Sequence, residues 1–354
     1  MRVAQVAPLV LPVPPGQYGG TERVIHNLCE ALVSRGHEVT LFASGDSDTS
    51  ARLAPAVPKA LWKDAPIPDP IAPVLRMHAE VFRRAHEFDV IHTHTDYFAF
   101  PFARESMAPV LSTLHGRLDI PHYPEMLQLF PEVHLVAISR SQQSQAPGAN
   151  WAATVHHGLA IDDYEFDPKG GEGLVFLGRL SAEKAPHSAI DVAVQAGVPL
   201  TVAGRVDREE REYFQREVVP RLSHPLVRFV GQVGDREKQA LLRNARALLF
   251  PIDWPEPFGL VMIEAMACGT PVIARPKGAA PEVLAHGVTG LLADSHDELV
   301  AAVAKVRSLD RAACRRRVEE NFSVDAMADR YECIYSEVAS RKRLMGLRRF
   351  RRAT

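Results

Sequence analysis

The segment Glu256–Ala274, EPFGLVMIEAMACGTPVIA, runs from a proline-rich loop through a helical pattern to a glycine and then a short β-rich strand. Upstream, ALLFP (247–251) reads as another buried strand. Pro255 and Pro257 hold Glu256 extended, because a residue before proline is biased away from helical backbone. Gly259 permits close backbone approach at the helix start, and Gly269 stops the helix near Cys268. Strand, loop, helix and strand together make one unit of a parallel α/β sheet. In such a sheet, ligands bind at the carboxyl ends of the strands, where helix N-termini point.

A helix start exposes unpaired N–H groups and attracts anions. The amides of Phe258, Gly259, Leu260 and Val261 are therefore expected to face a bound anion, best a diphosphate. Two carboxylates bracket that start. Glu264 lies among apolar neighbours, and a buried acid needs partners; the vicinal hydroxyls of a ribose suit a bidentate carboxylate. Glu256, ahead of the helix, is placed to accept from sugar hydroxyls. The plainer alternative is a loop charge and a solvated helix face. A hydrolase acid/base pair is disfavoured, because one carboxylate is committed to ribose.

Working outward, short apolar runs alternate with helical patterns. The first half gives strands VAQVA, 38–43, 89–94, 110–115 and 134–139, with helices Thr21–Arg35 and Val74–Glu87. The second half gives strands 174–178, 199–204, 227–231, 247–251 and 271–274. Its helices are Ala185–Ala196, Arg208–Pro220, Asp235–Ala245 and Gly259–Ala267. This pattern means parallel sheets covered on both faces. The two halves begin alike, with a helix, a glycine stop and an apolar strand, which points to two Rossmann-like domains. Residues 158–173 read as a polar interdomain linker, and the proline-rich run 55–73 as a surface loop. Helix resumes after an N-cap at Ser323.

A chain of 354 residues suits two domains, and no apolar run reaches the length of a membrane helix. Arg2–Val6 reads as a first buried strand rather than a targeting segment. Cys29, Cys268, Cys314 and Cys333 are scattered without a metal-site spacing, which suits a reducing cytoplasm. Net charge is −2, yet the last fourteen residues carry seven Lys/Arg and no acid. The basic tail 341–354 is read as a contact for an anionic membrane surface through Leu344, Met345, Leu347 and Phe350, against the alternative of a solvated terminus. No nucleic-acid partner is expected.

A second anion clamp is FLGRLSAEKAP (176–186), where Arg179 and Lys184 follow a strand end and can neutralise a diphosphate without a metal. The alternative pairs them with Glu183. In the first half, Gly19 and Gly20 precede a helix opening at Thr21, as an N-cap or as a loop near phosphate or acceptor; the run is not GxGxxG. His115 ends a strand, where its imidazole can hold a donor-sugar hydroxyl. His92, His94 and Asp96 end another; an HxH pair without a third ligand reads as acceptor-site lining rather than metal. Arg117 joins His94 and Asp96 as an acceptor-side candidate. The acidic run 45–48 resembles the acidic metal site of some sugar transferases, but in a polar loop it reads as turn chemistry.

GGTERVIHNLCEALVSRGHEVTLFASGDS, LHG, GRLSAEK and the phrase from Glu256 through KGAAPEVL to GVTGLL together resemble the retaining glycosyltransferases of family 4 across nearly the whole chain. The resemblance implies the GT-B fold, two Rossmann-like doubly wound domains facing across a cleft. It implies an acceptor-side domain over 1–160, completed by helices of 323–345, and a donor-side domain over 161–322. A nucleotide-diphosphate sugar would be held mainly by the second domain, with UDP-glucose the first expectation and GDP-mannose the second. Glu264 would then bind ribose, Glu256 and the Phe258–Val261 backbone sugar and phosphate, and Arg179 and Lys184 the diphosphate. His115 would touch the donor sugar, Gly20 would lie near phosphate or acceptor, and Gln232 and Val233, within VGQV (230–233), would face the base. One departure is Lys184-Ala185 where the family often has Lys-Gly.

The activity so implied is transfer of a hexose to a sugar, lipid-linked or small-molecule acceptor with retained configuration, without metal or cofactor. With no obvious nucleophile, front-face substitution is favoured, Arg179, Lys184, Glu256 and His115 forming the catalytic set. The rivals are an epimerase or phosphorylase on the same fold, and a non-catalytic sugar-nucleotide-binding protein. The expected location is the cytoplasm, with peripheral membrane contact.

Overall fold

The computed structural model describes residues 1–16, 19–61 and 69–353, with side chains through Lys342. It divides into two compact units, Met1–Gly158 with the chain from Val324 onward, and Leu159–Ser323.

Unit 1 carries strands β1 (Arg2–Val6), β2 (Glu38–Ser44), β3 (Arg52–Val57), β4 (Val90–Thr93), β5 (Val110–Leu114), β6 (His134–Ala137) and β7 (Trp151–Thr154). They form one parallel sheet in the order β3-β2-β1-β4-β5-β6-β7. Its helices are α1 (Gly20–Ser34), α2 (Ile71–Arg83), α3 (Phe100–Ala103), α4 (Tyr123–Gln128) and α5 (Arg140–Ser144). Alternation along the strands sorts the two faces. Ala4, Val6, Phe42 and Ile91 pack on Met77 and Val81 of α2. The opposite face of β1 and β4 presents Gln5, His92 and His94.

Unit 2 adds α6 (Pro186–Gln195), α7 (Arg211–Tyr213), α8 (Asp235–Arg243), α9 (Leu260–Ala267), α10 (Ala280–Val283), α11 (His296–Lys305) and α12 (Arg311–Asn321). Its strands are β8 (Leu174–Leu177), β9 (Leu200–Ala203), β10 (Val227–Gly231), β11 (Ala247–Phe250), β12 (Val272–Ala274) and β13 (Gly290–Leu292). They form a parallel sheet ordered β10-β9-β8-β11-β12-β13. One core gathers Phe176, Ile190, Leu200, Val202, Leu249, Ile273, Leu299 and Val303 from sheet and helices. The last helix, α13 (Val324–Ala353), belongs to unit 1 and lies along α1. Arg35, the C-cap of α1, binds Asp325, Asp329 and Glu332 of α13 at 2.6–2.8 Å.

Several sequence expectations are corrected. Three of the four edge strands, β3, β7 and β13, are absent from a reading of continuous apolar runs; Pro55 interrupts β3, as an edge strand tolerates. The fourth edge strand, β10, matches the run read over 227–231. Pro55 lies inside β3, so residues 55–57 are strand, and 71–73 already belong to α2; residues 62–68 of that run lie outside the described ones. Residues 159–173 are part of unit 2 rather than a linker: Tyr164 is buried, and the Asp167 amide donates to Cys268 O at 3.2 Å. The helix read over Arg208–Pro220 breaks into short 3₁₀, α and π turns. The basic run rides on α13, while Leu344, Met345, Leu347 and Phe350 are among the residues whose side chains lie outside the described ones. Among the described residues no helix is long and apolar enough to cross a membrane.

Candidate active site

In an open α/β sheet the order of strands reverses at one junction, and the loops leaving its two strands part to form a crevice. In unit 2 that junction is β8/β11. Arg179 and Lys184 follow β8, and Glu256 follows β11, so topology alone delivers all three to one place. The Lys184 ammonium donates to Glu256 Oε2, and Trp254 Nε1 donates to the same oxygen at 3.0 Å. The ammonium also lies 5.0 Å from the Trp254 ring centroid, a cation–π arrangement. Glu256 is only 7% exposed, and a buried carboxylate requires such partners. Gly278 backs this loop: with φ at 57°, a Cβ there would fall 2.2 Å from Glu256 N. Arg179, half-buried, lies 3.4 Å from Glu183 and 3.9 Å from Asp207.

Gly259 is the N-cap of α9, in the left-handed region at φ 81° with no side-chain cap. A Cβ there would sit 2.8 Å from Met262 Cε. The first-turn amides at Leu260 and Val261 are thereby left without a side-chain acceptor, as an anion site needs. Phe258 is buried edge-to-face on Phe322, 6.0 Å between centroids, and its backbone leads into the helix. The far end of α9 is held by cations that complement the helix dipole: Arg315 donates to Ala267 O at 3.0 Å and Arg311 to Cys268 O at 3.4 Å.

Glu264, 6% exposed, receives Lys238 Nζ of α8 at 2.6 Å and the Tyr164 hydroxyl at 3.2 Å. Both contacts fall on Oε1. Gln232 and Val233 follow the edge strand β10 and line a groove of about 500 Å³ along α8, with Arg228, Glu237 and Asn244. Sequence reasoning missed Lys238, Tyr164 and Trp254. Trp254 stands two residues ahead of the decisive phrase. A buried Glu264 announces the need for a cation, but nothing in DREKQ (235–239) says that Lys238 supplies it.

The reversal in unit 1 is β1/β4. Gly19, at φ 145°, is the N-cap of α1 and Gly20 its first residue, so Thr21 sits one step inside the helix instead of capping it. A Cβ on Gly19 would fall 2.8 Å from both Leu11 and Pro15. The β1/β4 face of the same unit carries a chain of buried polar groups. Gln5 of β1 donates from Nε2 to the Tyr335 hydroxyl at 2.9 Å, and its Oε1 lies 2.9 Å from His94 Nε2. His94 Nδ1 is 2.8 Å from His115 Nε2. His92 lies 2.7 Å from Tyr335 OH and 2.7 Å from Thr113 Oγ1. His157 stacks on His115 at 5.1 Å. Burial holds all four imidazoles well below the usual histidine range, His115 down to about 3, so they are neutral at pH 7.

This geometry corrects the reading of His94 as acceptor-site lining: it is 3% exposed and both ring nitrogens are bonded within the protein. His115 is the half-buried end of the chain. Asp96 adopts a left-handed backbone at φ 52° and accepts from the Tyr123 hydroxyl at 2.9 Å; burial pushes its carboxyl up. Arg117 is bidentate to Asp119 at 2.7 and 2.8 Å. In the 45–48 loop, Asp46 accepts from Ala60 N and Ser47 from Val13 N, both at 3.0 Å, which is turn chemistry. Among the described residues no group of three His, Cys, Asp or Glu is placed to hold a metal.

Comparison with known proteins gives the same partition. Residues 18–156 match the family model described as Glycosyltransferase Family 4, and 163–322 that described as Glycosyl transferases group 1. The chain is 27% identical to a phosphatidyl-myo-inositol mannosyltransferase of Mycobacterium leprae, over 90% of each chain. It is 28% identical to a glycogen synthase of Mycobacterium tuberculosis strain H37Rv, over 86% of each. The crystal structure of AviGT4, a glycosyltransferase involved in avilamycin A biosynthesis, superposes with a TM-score of 0.74 at 26% identity, covering 96% of this chain and 98% of that one. With two sheets that each reverse at a glycine-led crevice, this chain belongs to the family 4, group 1 glycosyltransferases of the GT-B fold.

Proposed function

We propose that the chain transfers a hexose from a nucleoside-diphosphate sugar to an acceptor hydroxyl with retention of anomeric configuration. The observation that carries the reading is the β8/β11 crevice, where the loops after the two strands bring together the Lys184–Glu256 pair, and the loop after β11 leads into an uncapped helix start and Glu264. A leaving diphosphate needs positive charge and oriented N–H groups, and the cations and first-turn amides of this crevice are of the kind that supplies both. Arg179 and Lys184 stabilise the charge that develops as the bond from the anomeric carbon to phosphate oxygen breaks. The acceptor oxygen bonds to the same face, and its proton passes to the departing phosphate oxygen. Glu256 takes sugar hydroxyls and Glu264 the ribose, through the oxygen opposite the Lys238 contact. His115 takes a hydroxyl of the donor sugar. Among the relatives, one is named a mannosyltransferase and another a glycogen synthase, so UDP-glucose and GDP-mannose are the donors to test first.

Calorimetric titration with UDP, GDP and ADP, each with and without EDTA, tests this. One nucleotide binds selectively, EDTA leaves its affinity unchanged, and Glu264→Ala weakens it about tenfold or more while unfolding stays cooperative. Unchanged affinity in Glu264→Ala removes the ribose assignment. Failure of all three nucleotides to bind removes the nucleotide-sugar reading of this crevice.

A further inference from the structure

The buried face of the unit 1 sheet contains more order than a set of satisfied polar groups. Neutral imidazole has one N–H and one bare nitrogen, and each bond made by one nitrogen dictates the role of the other. The amide of Gln5 turns its NH₂ to the Tyr335 hydroxyl, so its oxygen faces His94 Nε2. An amide oxygen only accepts, so His94 carries its proton on Nε2. Its Nδ1 is then bare and accepts from His115 Nε2–H at 2.8 Å. That leaves His115 Nδ1 as a bare acceptor, and this atom is buried without a hydrogen-bond partner in the protein. Gln142 fixes the backbone on either side, donating from Nε2 to Leu114 O at 2.9 Å and Gly116 O at 2.7 Å. Ring and main chain of His115 are thus both held from behind.

We propose that Gln5, through His94, is a positioning residue that locks the tautomer of His115, so that Nδ1 accepts a hydrogen bond from a substrate hydroxyl. The inference rests on the reading that His115 meets the donor sugar, and it goes further. It specifies the direction of the bond: the sugar must present a free hydroxyl as donor there, and a fluorine or an ether oxygen cannot replace it. Tyr335 of α13 belongs to the same device. Its hydroxyl receives Gln5 Nε2 and lies 2.7 Å from His92 Nδ1, so it faces the amide with an acceptor and keeps the Gln5 oxygen on His94. An amide turned the other way would reverse every proton in the chain and leave an N–H at His115 Nδ1.

Nitrogen NMR of histidine-labelled full-length protein, with His115 assigned by its absence in His115→Gln, reads the two ring nitrogens directly. In the native protein Nε2 carries the proton and Nδ1 is bare. Gln5→Leu removes the acceptor, so His94 moves its proton to Nδ1 rather than bury an unbonded N–H, and the His115 proton shifts from Nε2 toward Nδ1. Gln5→Glu, a pure acceptor, retains the native pattern and guards against a folding defect in the leucine variant. A proton on Nδ1 in the native protein, or a native His115 pattern in folded Gln5→Leu, overturns the proposal. Calorimetry separates it from the reading beneath it. With UDP-glucose and GDP-mannose as probes, Gln5→Leu lowers nucleotide-sugar affinity about tenfold relative to UDP and GDP alone, and Gln5→Glu restores it. A changed tautomer with unchanged sugar affinity keeps the wiring and removes the sugar contact assigned to His115.

Discussion

The two units reverse strand order in the same way, yet their crevices are built from opposite materials. At β8/β11 the groups are ionic: Lys184 on Glu256, Lys238 on Glu264 and Arg179 near Glu183 and Asp207. At β1/β4 they are neutral: three imidazoles, an amide, a threonine and two tyrosines joined by hydrogen bonds, with a fourth imidazole, His157, stacked on His115. Shared topology fixes where a ligand can approach each unit, and residue choice decides what chemistry each crevice offers. Charged partners can be exchanged for an anion; a chain of neutral donors and acceptors can only offer direction to a hydroxyl.

Acid should break this comparison most strongly. The folded-state pKa values of His92, His94, His115 and His157 are depressed, so below about pH 6.5 the unfolded chain binds protons that the folded chain does not. Their contribution is fully present above that pH and is lost as pH falls toward the folded values, about 3 for His115. Each costs about 1.4 kcal/mol per pH unit while it stays unprotonated in the fold. Hydrogen exchange resolved by peptide should show unit 1 losing stability from pH 6.5 downward before unit 2. Parallel loss in both would mean that the imidazoles take up protons without unfolding.

Charge at the other crevice is tested by Lys184→Ala. If the ammonium stabilises the leaving diphosphate, turnover falls about a hundred- to a thousandfold. The same change leaves Glu256 with Trp254 as its remaining side-chain partner, so stability is measured alongside. Loss of stability with little loss of turnover would make the pair structural, and the contrast between ionic and neutral crevices would then say nothing about chemistry.

How much of this was legible in the sequence follows the same line. The β8/β11 crevice was readable because its residues are local: Phe258 to Glu264 lie on one helix start, and Arg179 and Lys184 on one loop. The parallel strands were readable where both faces are buried, as in β5 and β11, and at the edge strand β10, but lost at the other edges β3, β7 and β13. Unit 1 was harder because its chain joins residues far apart in sequence. Gln5 and Tyr335 are 330 residues apart, and a helix that returns after unit 2 makes the contact. The signal was present in VAQVA, where one amide interrupts an apolar strand, but it named no partner. His94 was misjudged for this reason: alternation placed it on a face, and only the packed neighbours showed that face to be closed.

The smallest expected effect concerns the one departure from the family pattern. Ala185, beside Lys184, is the N-cap of α6 and sits in the left-handed region at φ 52° and ψ 52°. For an L-residue that backbone costs about 1–2 kcal/mol, and glycine adopts it freely. Ala185→Gly relieves this strain, while the greater freedom of glycine in the unfolded chain takes back about 0.4–1 kcal/mol. The difference favours the glycine variant by about 0.5 kcal/mol, a small rise in the urea midpoint at unchanged slope. A fall in the midpoint would mean that the packing of this fully buried methyl outweighs the strain. The alanine would then be a device that holds the Lys184 loop rigid. Turnover in Ala185→Gly would fall in that case, because the ammonium would be less firmly placed against Glu256.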